Sequence, residues 1–397
     1  MLKSKLLPIT LTLITAILFI TSCTSDTETV YGELHFSQFD PLHEVYKDFF
    51  LIGTTSWNSR MTGNRLAVIR HHFNSFTPEN EMKPDHIQNV RNVWTWSQLD
   101  QQLGRVQGMT LIGHTLAWHS QTPEWHWDAP RHDRAAALAN MQTHIQTVMN
   151  RYGARLHTMD VVNEAFTDGG GVSQGNTHPV NDWRSRLRQT EGWYLALADS
   201  WIEEAFLRTA EIVDANGWNV KLYYNDFNLD LQGKRLATYQ MVKEINEKHA
   251  GRRPGGKQLI EGIGMQAHYW VGGQWQSTIP ANVRASIELF STLPGVSISI
   301  TELDLEWRDA YGQQSLTSSQ ERAQALFYGQ LFEIFREYAT GPANPDESKR
   351  KIERVSIWGT NDPDSWRHQG FPLLFDGNLN AKEAFLVIHS KGEYAFN

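Results

Sequence analysis

The feature that most constrains the fold is an alternation, repeated eight times, between short apolar runs rich in β-branched residues and longer amphipathic segments. In residues 134–152 and 319–338, apolar side chains recur three and four positions apart, as in a helix with one buried face. This order predicts an α/β fold whose parallel sheet closes as a (β/α)8 TIM barrel. The runs are 49–56, 74–80, 109–118, 158–166, 221–228, 260–268, 296–304 and 355–362.

An open, doubly wound sheet is the structural alternative. Such a sheet usually carries a glycine-rich phosphate-binding turn after an early strand, and none of the early runs is followed by one. Residues 169–175 are rich in glycine but lack that spacing and a helix directly after them, so we expect a flexible loop there. We therefore favour a single catalytic barrel domain spanning residues 45–397.

The N-terminus has the order of a secretory signal, in which basic residues precede an apolar run and then small residues. Lys3 and Lys5 are followed by the apolar residues 6–20, a run that is short for a membrane span. The run leads to Ile-Thr-Ser-Cys, which ends at Cys23 and resembles a bacterial lipobox. We expect residues 1–23 to comprise a lipoprotein signal peptide and its lipobox; an ordinary secretory signal and an uncleaved anchor are the alternatives.

Several expectations about location and partners follow. Residues 24–44 begin with a polar, acidic stretch and are interpreted as a tether. Acyl chains on Cys23 would hold the protein on a bacterial membrane in the cell envelope. We expect this to be the outer membrane, where the protein could face the cell surface. The net charge is −8 and no long basic run is present, so a nucleic-acid partner is not expected. We expect a monomer.

Polar residues gather where the apolar runs end. In a barrel the carboxyl ends of all strands meet on one face, where active sites lie. A single acidic residue at a strand end is more often a surface or loop-capping group. That explanation does not account for polar residues at the ends of so many successive apolar runs. The pattern therefore predicts one shared cleft, formed by Glu79, Asn80, His114, Trp118, Asn163, Glu164, Asn225, Asp226, Gln266, His268, Glu302, Asp304, Trp358, Asn361 and Asp362.

Two of these residues, Glu164 and Glu302, make a pair suited to glycoside hydrolysis. That reaction needs one carboxyl that is protonated, to donate to the leaving oxygen, and one that is ionised, to attack the sugar or activate water. Asn163 could bond a sugar hydroxyl, and His268 with Asp304 could orient Glu302. The chain also has 15 Trp, most of which are expected in the core, while the others could stack against sugar rings.

Metal and serine chemistry are the competing uses of such residues. The sequence has 16 His, but no H-E-x-x-H motif and no cysteine ligand set. The three histidines within residues 113–127 have no evident tetrahedral spacing. The G-x-S-x-G turn of serine hydrolases is missing as well. We therefore expect neither a metal nor another cofactor.

The motifs resemble those of glycoside hydrolase family 10, the retaining endo-β-1,4-xylanases, over roughly residues 45–390. DVVNEAF at 160–166 resembles the acid/base motif of that family, and ISITELD at 298–304 its nucleophile motif. The other matching segments are FTPENEMKPD (76–85), GHTLAWHSQTPEW (113–125), YYNDFN (223–228), GMQAHYW (264–270) and IWGTNDPDSWR (357–367).

This resemblance implies a role for each matching residue. Glu164 would be the general acid/base and Glu302 the nucleophile of a double displacement on internal bonds of xylan or xylo-oligosaccharides. Asn163 would contact the sugar 2-hydroxyl, and His268 would bond Glu302 with Asp304 behind it. The residues that would bind the non-reducing side are Glu79, Asn80 and Lys83, along with His114, Trp118 and Gln121. Gln266 would line the centre, Trp358 and Trp366 would cover the sugar, and Phe227 would bind on the leaving-group side.

Specificity would come from Trp358 and Trp366, which the resemblance places where the C6 hydroxymethyl of glucose would need space. The sequence departs from the family at Phe227, where tyrosine is usual; phenylalanine can stack on a sugar but cannot donate a hydrogen bond. Pro78 also departs, because the family often has alanine there. A long loop at 167–200, beside Glu164, is either a surface insertion or a segment that shapes the leaving-group side or binds branched substrate.

Two other functions remain open at this stage. Another retaining β-glycanase, such as a cellulase or mannanase, would use the same two carboxylates, although Lys83, His114 and Trp366 favour xylan. A surface glycan-binding lipoprotein without catalysis is the alternative from a different class. The presence of both carboxylates, with Asn163 and His268 beside them, argues against it.

Overall fold

The computed structural model describes residues 34–168, 182–273 and 276–396. These residues contain nine strands, and every strand pairing is parallel. The strands are β1 Leu51–Ser56, β2 Ser75–Pro78, β3 Thr110–Ala117, β4 Leu156–Asn163, β5 Lys221–Asp226, β6 Gly262–Met265, β7 His268–Val271, β8 Ser297–Trp307 and β9 Ile352–Ile357.

Eight of the strands close into a barrel. β1 to β6 follow one another around it, β8 pairs with both β6 and β9, and β9 pairs back with β1. Strands buried on both faces should be apolar along most of their length, and β1 and β4 are buried at all but one position. The predicted (β/α)8 barrel is confirmed.

Helices connect the successive strands of the eight-stranded barrel, and the two strongest sequence predictions match α5 and α10. Asp133 accepts a hydrogen bond from the first turn of α5, and Thr317 forms a capping box with Gln320 at the start of α10. Within the described residues the helices are α1 Leu42–Val45, α2 Gly63–His72, α3 Pro84–Ile87, α4 Ser97–Arg105, α5 Arg134–Tyr152, α6 Gly192–Leu197, α7 Ser200–Ala215, α8 Gln232–Lys248, α9 Ile279–Ser291, α10 Ser318–Glu337 and α11 Glu383–His389. None of the described helices is both long enough and apolar enough to span a membrane.

Two strands end earlier than their sequences predict. β4 stops at Asn163, and Glu164 takes a left-handed backbone conformation with φ of 53°. The sixth run was predicted as one strand over 260–268, but β6 stops at Met265 because Ala267 is also left-handed, with φ of 64°. The chain resumes as β7, which pairs with the last residues of β8. Both breaks occur where side chains enter the candidate site.

The barrel begins earlier in the chain than predicted. Phe36 and Leu42 are buried in the core, and the Phe36 backbone N–H donates to Leu379 O at 3.1 Å. The prediction that the tether continues to residue 44 is therefore wrong for residues 34–44, since their apolar side chains pack against the barrel. Residues 1–33, including Cys23, and the glycine-rich stretch 169–175 lie outside the described residues.

The segment predicted as a loop over 167–200 is partly ordered into helical turns. Its described C-terminal part contains a 3-10 turn at Trp183–Arg186 and the helix α6. Trp183 and Trp193 are buried, which gives this part a hydrophobic reason to pack against the barrel. The prediction of a loop throughout is therefore wrong for Trp183–Arg186 and for α6.

Candidate active site

A cavity of about 610 Å³ lies at the carboxyl ends of the strands. The predicted site residues that line it are Glu79, Asn80, Lys83, His114, Trp118, Gln121, Asn163, Glu164, Phe227, Gln266, His268, Glu302, Trp358 and Trp366. Asp304 is fully buried behind His268 rather than in the cavity wall. The structure therefore brings these residues together at one site. Asn225, Asp226, Asn361 and Asp362 were also predicted to form the cleft, but they are buried and do not line it. Asp226 and Asp362 instead pair with the buried lysines Lys234 and Lys382, at 2.7 and 2.9 Å.

Glu164 follows β4 directly and is held at both its backbone and its carboxyl. Its backbone N–H donates to Asn225 O at 2.9 Å. Gln266 Nε2 donates to one carboxyl oxygen and Trp118 Nε1 to the other, each at 2.9 Å. These neutral donors fix the orientation of the carboxyl in the cavity without the need for a cation.

Glu302, on β8, has a different environment. Asn225 Nδ2 lies 2.8 Å from Oε1 and His268 Nε2 lies 3.2 Å from Oε2. Burial alone would raise the pKa of Glu302, but His268 and His114 together with the Asn225 amide outweigh it and hold that pKa below its ordinary value. Glu302 is therefore kept ionised.

His268 is placed between two carboxylates. Its Nδ1 lies 2.9 Å from Asp304 Oδ2, on the side of the ring away from Glu302. Burial favours the neutral ring, but Asp304 and Glu302 outweigh burial and raise the pKa of His268 to about 9. Trp366 Nε1 and Arg367 also donate to the Asp304 carboxylate, at 3.0 and 3.2 Å.

Amide side chains connect the two glutamates. Asn225 Nδ2 donates to Asn163 Oδ1 at 3.0 Å as well as to Glu302. Gln266 Nε2 lies 3.2 Å from the same Asn163 oxygen and also donates to Glu164.

The close approach of β5 and β6 permits this arrangement. A Cβ on Gly264 would lie 2.3 Å from the Asn225 side-chain oxygen, so only glycine leaves room for that amide. Thr301 donates to the same oxygen at 2.7 Å, which directs the Asn225 NH2 group toward Asn163 and Glu302.

A second group of polar residues lies near the ends of β2 and β3. Lys83 Nζ donates to Asn80 at 2.9 Å and to Gln121 at 2.7 Å, and lies 4.9 Å above the centre of the Trp118 ring. Burial lowers the pKa of Lys83, although nearby carboxylates oppose that shift. Burial also raises the pKa of Glu79 to about 7, against a hydrogen bond from Trp57 and the charge of Lys83.

Around the barrel, Phe227 lines the cavity beside a buried lysine. Lys234 Nζ lies 3.6 Å from the centre of the Phe227 ring and 2.7 Å from Asp226. It also contacts Asp168 at 3.1 Å. The ring is therefore fixed in place by packing against a paired cation, and it presents an apolar face without a hydroxyl to the cavity.

Six further residues line the cavity that were not chosen from the sequence. Trp57 follows β1 and Asn228 follows β5, so the rule about strand ends could have found them. Arg308 lies 3.3 Å from the centre of the Trp270 ring, a pairing that only the folded chain shows. The six are Trp57, Asp168, Asn228, Trp270, Arg308 and Arg367.

A metal site would need several His, Cys, Asp or Glu side chains in one group. Among the residues that the structure describes, no group of three or more His, Cys, Asp or Glu side chains is placed to hold a metal ion. His114 pairs with Asp160, at 3.0 Å, and packs against Trp358 with ring centres 5.7 Å apart.

A parallel barrel with a pair of supported glutamates in a cleft at its carboxyl face is an arrangement that glycoside hydrolases use. The chain matches glycosyl hydrolase family 10 over residues 41–391. It belongs to that family, which confirms the predicted resemblance.

The similarity to individual relatives extends over most of this chain and most of each relative. The chain is 30% identical over 363 residues to endo-1,4-β-xylanase A of Caldicellulosiruptor saccharolyticus, covering 87% of this chain and 94% of that protein. The crystal structure of the endo-1,4-β-xylanase from Caldicellulosiruptor owensensis is similar with a TM-score of 0.75 and 30% identity, over 88% of this chain and 99% of that one. A mutant of TsXylA, a xylanase from Thermoanaerobacterium saccharolyticum, in complex with xylotriose has a TM-score of 0.71 and 30% identity, over 88% and 98% of the two chains.

Proposed function

We propose that this protein is an endo-β-1,4-xylanase that hydrolyses internal bonds of xylan and xylo-oligosaccharides with net retention at the anomeric carbon. The observation that carries the proposal is the unequal support of two glutamates in one cleft. Glu302 is held ionised by His268 and an amide, whereas Glu164 is oriented by the neutral donors Gln266 and Trp118. Retaining hydrolysis requires this division of roles between its two carboxyls.

In the first step, a Glu302 carboxylate oxygen attacks the anomeric carbon and the bond from that carbon to the glycosidic oxygen breaks. The protonated Glu164 donates its proton to that oxygen, so the leaving sugar departs with a hydroxyl. The product of this step is a glycosyl ester on Glu302. Asn163 lies within the same network and offers an amide to the 2-hydroxyl of the sugar under attack.

In the second step, Glu164 acts as a base. It takes a proton from a water molecule, whose oxygen attacks the anomeric carbon while the bond to Glu302 breaks. Two inversions give net retention, Glu302 returns as a carboxylate, and Glu164 regains its proton. The mechanism requires the two carboxyl groups to be about 5–5.5 Å apart.

Preference for xylose is proposed to arise at Trp358 and Trp366. Both rings line the cavity, and Trp366 is held by its bond to Asp304 and by packing against His268, with ring centres 5.1 Å apart. A fixed ring excludes a C6 hydroxymethyl by steric clash, and a clash discriminates more strongly than a missing contact does. Glu79, Asn80 and Lys83 would bind the non-reducing side, and Phe227 the leaving-group side.

The test is an assay of reducing ends on xylan, cellulose and mannan, with proton NMR to identify the first anomer formed. We expect xylan to be favoured, long oligosaccharides to appear first, and the β-anomer to be released. Glu302→Gln should lower turnover at least about 1,000-fold. Preference for cellulose or mannan would reassign the substrate, and xylan binding without turnover by the unaltered protein would favour the non-catalytic alternative.

We also propose that the protein is a lipoprotein anchored through Cys23 to a bacterial membrane. The support is the signal-like order of residues 1–23 and the position of the sole cysteine at the end of the lipobox-like stretch. The test is mass spectrometry of the mature N-terminus together with membrane fractionation of Cys23→Ala. Release of that variant from the membrane is expected, and an unmodified Cys23 in the mature protein would refute the anchor.

A further inference from the structure

The segment that precedes α6 returns to the turn that carries Glu164. Leu187 forms an antiparallel bridge with Phe166, and the Arg188 backbone N–H donates to Ala165 O at 3.0 Å. These contacts join two stretches of chain separated by about twenty residues. The turn that follows β4 is therefore held from outside the barrel as well as from within it.

The side chain of Arg188, in the same segment, contacts the backbone of Glu164 directly. Its Nε donates to the backbone oxygen of Glu164 at 3.0 Å. Because Asn225 binds the Glu164 N–H on the barrel side, both backbone polar groups of Glu164 are occupied. The guanidinium is itself fixed, since it lies 3.8 Å from Asp168 and 3.7 Å from Glu191.

This contact matters because Glu164 has an unfavourable backbone conformation. Its φ of 53° lies in the left-handed region, which costs free energy for any residue with a side chain and persists only when the surroundings impose it. Return to negative φ would turn the Cα–Cβ bond. The carboxyl would then move away from Gln266 and Trp118, its two donors.

We propose that Arg188 is a positioning residue for the acid/base, which keeps Glu164 in the left-handed conformation through its hydrogen bond to the Glu164 carbonyl. Lys234 supports the arrangement, because it ties Asp168 to the buried Asp226 at 3.1 and 2.7 Å. The inference rests on the proposed function, in which Glu164 protonates the leaving oxygen.

Leaving-group dependence separates this role from general damage to the fold. A sugar or an unsubstituted phenol leaves slowly unless it is protonated, whereas 2,4-dinitrophenol leaves without an acid. A displaced Glu164 should therefore slow the first kind of substrate and spare the second. The ratio kcat/KM reports only steps up to the first irreversible one, so the later role of Glu164 as a base does not enter.

The experiment compares the unaltered protein with Arg188→Met and Arg188→Lys on phenyl and 2,4-dinitrophenyl β-xylobiosides. For Arg188→Met we expect kcat/KM to fall about 10–100-fold on the phenyl substrate and less than about 3-fold on the dinitrophenyl substrate. Arg188→Lys keeps a charge near Asp168 but has no donor at the Nε position, so it should lose most of the same activity. Equal losses on both substrates, no loss at all, or full activity of Arg188→Lys would each overturn the proposal.

Arg184→Met is the matched control. Arg184 lies in the same segment and pairs with Asp199 and Glu244, away from Glu164. Its loss should leave the ratio between the two substrates unchanged. If that variant reproduced the pattern of Arg188→Met, the effect would belong to the segment and the role of Arg188 would be refuted.

A crystal structure of Arg188→Met gives a readout that does not depend on the reaction. We expect Glu164 to leave the left-handed region or to split between two conformations. An unchanged φ near 53° would overturn the positioning role even if the protein hydrolysed xylan as proposed. Conversely, absence of turnover by the unaltered protein would refute the proposed function and leave this structural test intact.

Discussion

Asp304 and Glu302 approach His268 from its two ring nitrogens, at 2.9 Å from Nδ1 and 3.2 Å from Nε2. One imidazolium is thus shared by a carboxylate that faces the cleft and a carboxylate that is fully buried. The buried carboxylate keeps the proton on the ring, and the charged ring in turn keeps Glu302 ionised. Arg367 lies 3.2 Å from Asp304 and offsets part of the negative charge of that carboxylate.

The first prediction concerns this charge arrangement. Asp304→Asn should lower the pKa of His268 from about 9 toward or below its ordinary 6.5. Burial lowers this pKa, and in the variant only the Glu302 carboxylate remains to raise it. The midpoint is measured by NMR titration of the His268 ring in the free enzyme. A midpoint that stayed near 9 would show that Asp304 does not hold the proton.

The same variant should change how stability depends on pH. The pKa of His268 is higher in the folded protein than in the unfolded chain, so the protonated ring stabilises the fold. This stabilisation is complete below pH 6.5 and is lost as the pH rises to about 9. The difference in unfolding free energy between the two proteins should therefore narrow by about 3 kcal/mol from pH 6 to pH 10. Urea unfolding at both pH values measures it, and a difference independent of pH would contradict the prediction.

The second prediction concerns Glu79, whose pKa is raised to about 7 chiefly by burial. The unfolded chain ionises this group near 4.5, so its contribution to stability is lost between pH 4.5 and 7 as pH rises. Glu79→Gln has no charge to bury and should be more stable than the unaltered protein at pH 8, by up to about 3 kcal/mol. The gain should vanish at pH 4. A gain of equal size at both pH values would point to packing instead.

The third prediction assigns a role to Trp57, whose ring is 41% exposed at the wall of the cavity. Arg60 lies 4.7 Å from the ring centre and packs its guanidinium against the ring. Trp57→Ala should remove most of the gain in kcat/KM that comes from lengthening the non-reducing end of the substrate, about 5–50-fold. Oligosaccharides of increasing length measure it.

Trp125→Ala is the control for that series. Trp125 stacks on Arg91, with 5.3 Å from the guanidinium carbon to the ring centre, but it does not line the cavity. The variant should keep the dependence of the unaltered protein on chain length. If Trp57→Ala kept it too, Trp57 would have no part in substrate binding.

The fourth prediction concerns sugar specificity. Trp366→Ala should raise kcat/KM for an aryl β-cellobioside relative to the xylobioside by about 10-fold or more, because removal of the ring opens space for a hydroxymethyl group. Trp366→Phe keeps most of the bulk and should keep the original ratio. An unchanged ratio in Trp366→Ala would move the origin of specificity elsewhere in the cleft.

The barrel could be predicted from the sequence because its strands are buried on both faces and therefore read as apolar runs. The pairing of Glu164 with Glu302 followed from one topological rule, that parallel strands deliver their last residues to the same face. The rule depends only on where a residue lies along its strand, so it can be applied without knowing which side chains touch in the folded protein.

The supports of the two glutamates could not be found in this way. The left-handed backbone of Glu164, the bond from Trp118 and the bond from Arg188 all depend on where distant segments meet in the folded chain. The break at Ala267 was hidden because Gln266 and His268, on either side of it, look like the polar end of a single strand. Turns imposed by tertiary contacts leave no periodic signal in the sequence.

The break between β6 and β7 has a consequence for anyone who would transplant this site into another barrel. Gln266 and His268 lie on either side of Ala267, yet the first serves Glu164 and the second serves Glu302. One residue more or fewer at this point would leave a glutamate beside the wrong partner while the barrel still closed. The spacing across Ala267 must therefore be copied together with the side chains themselves.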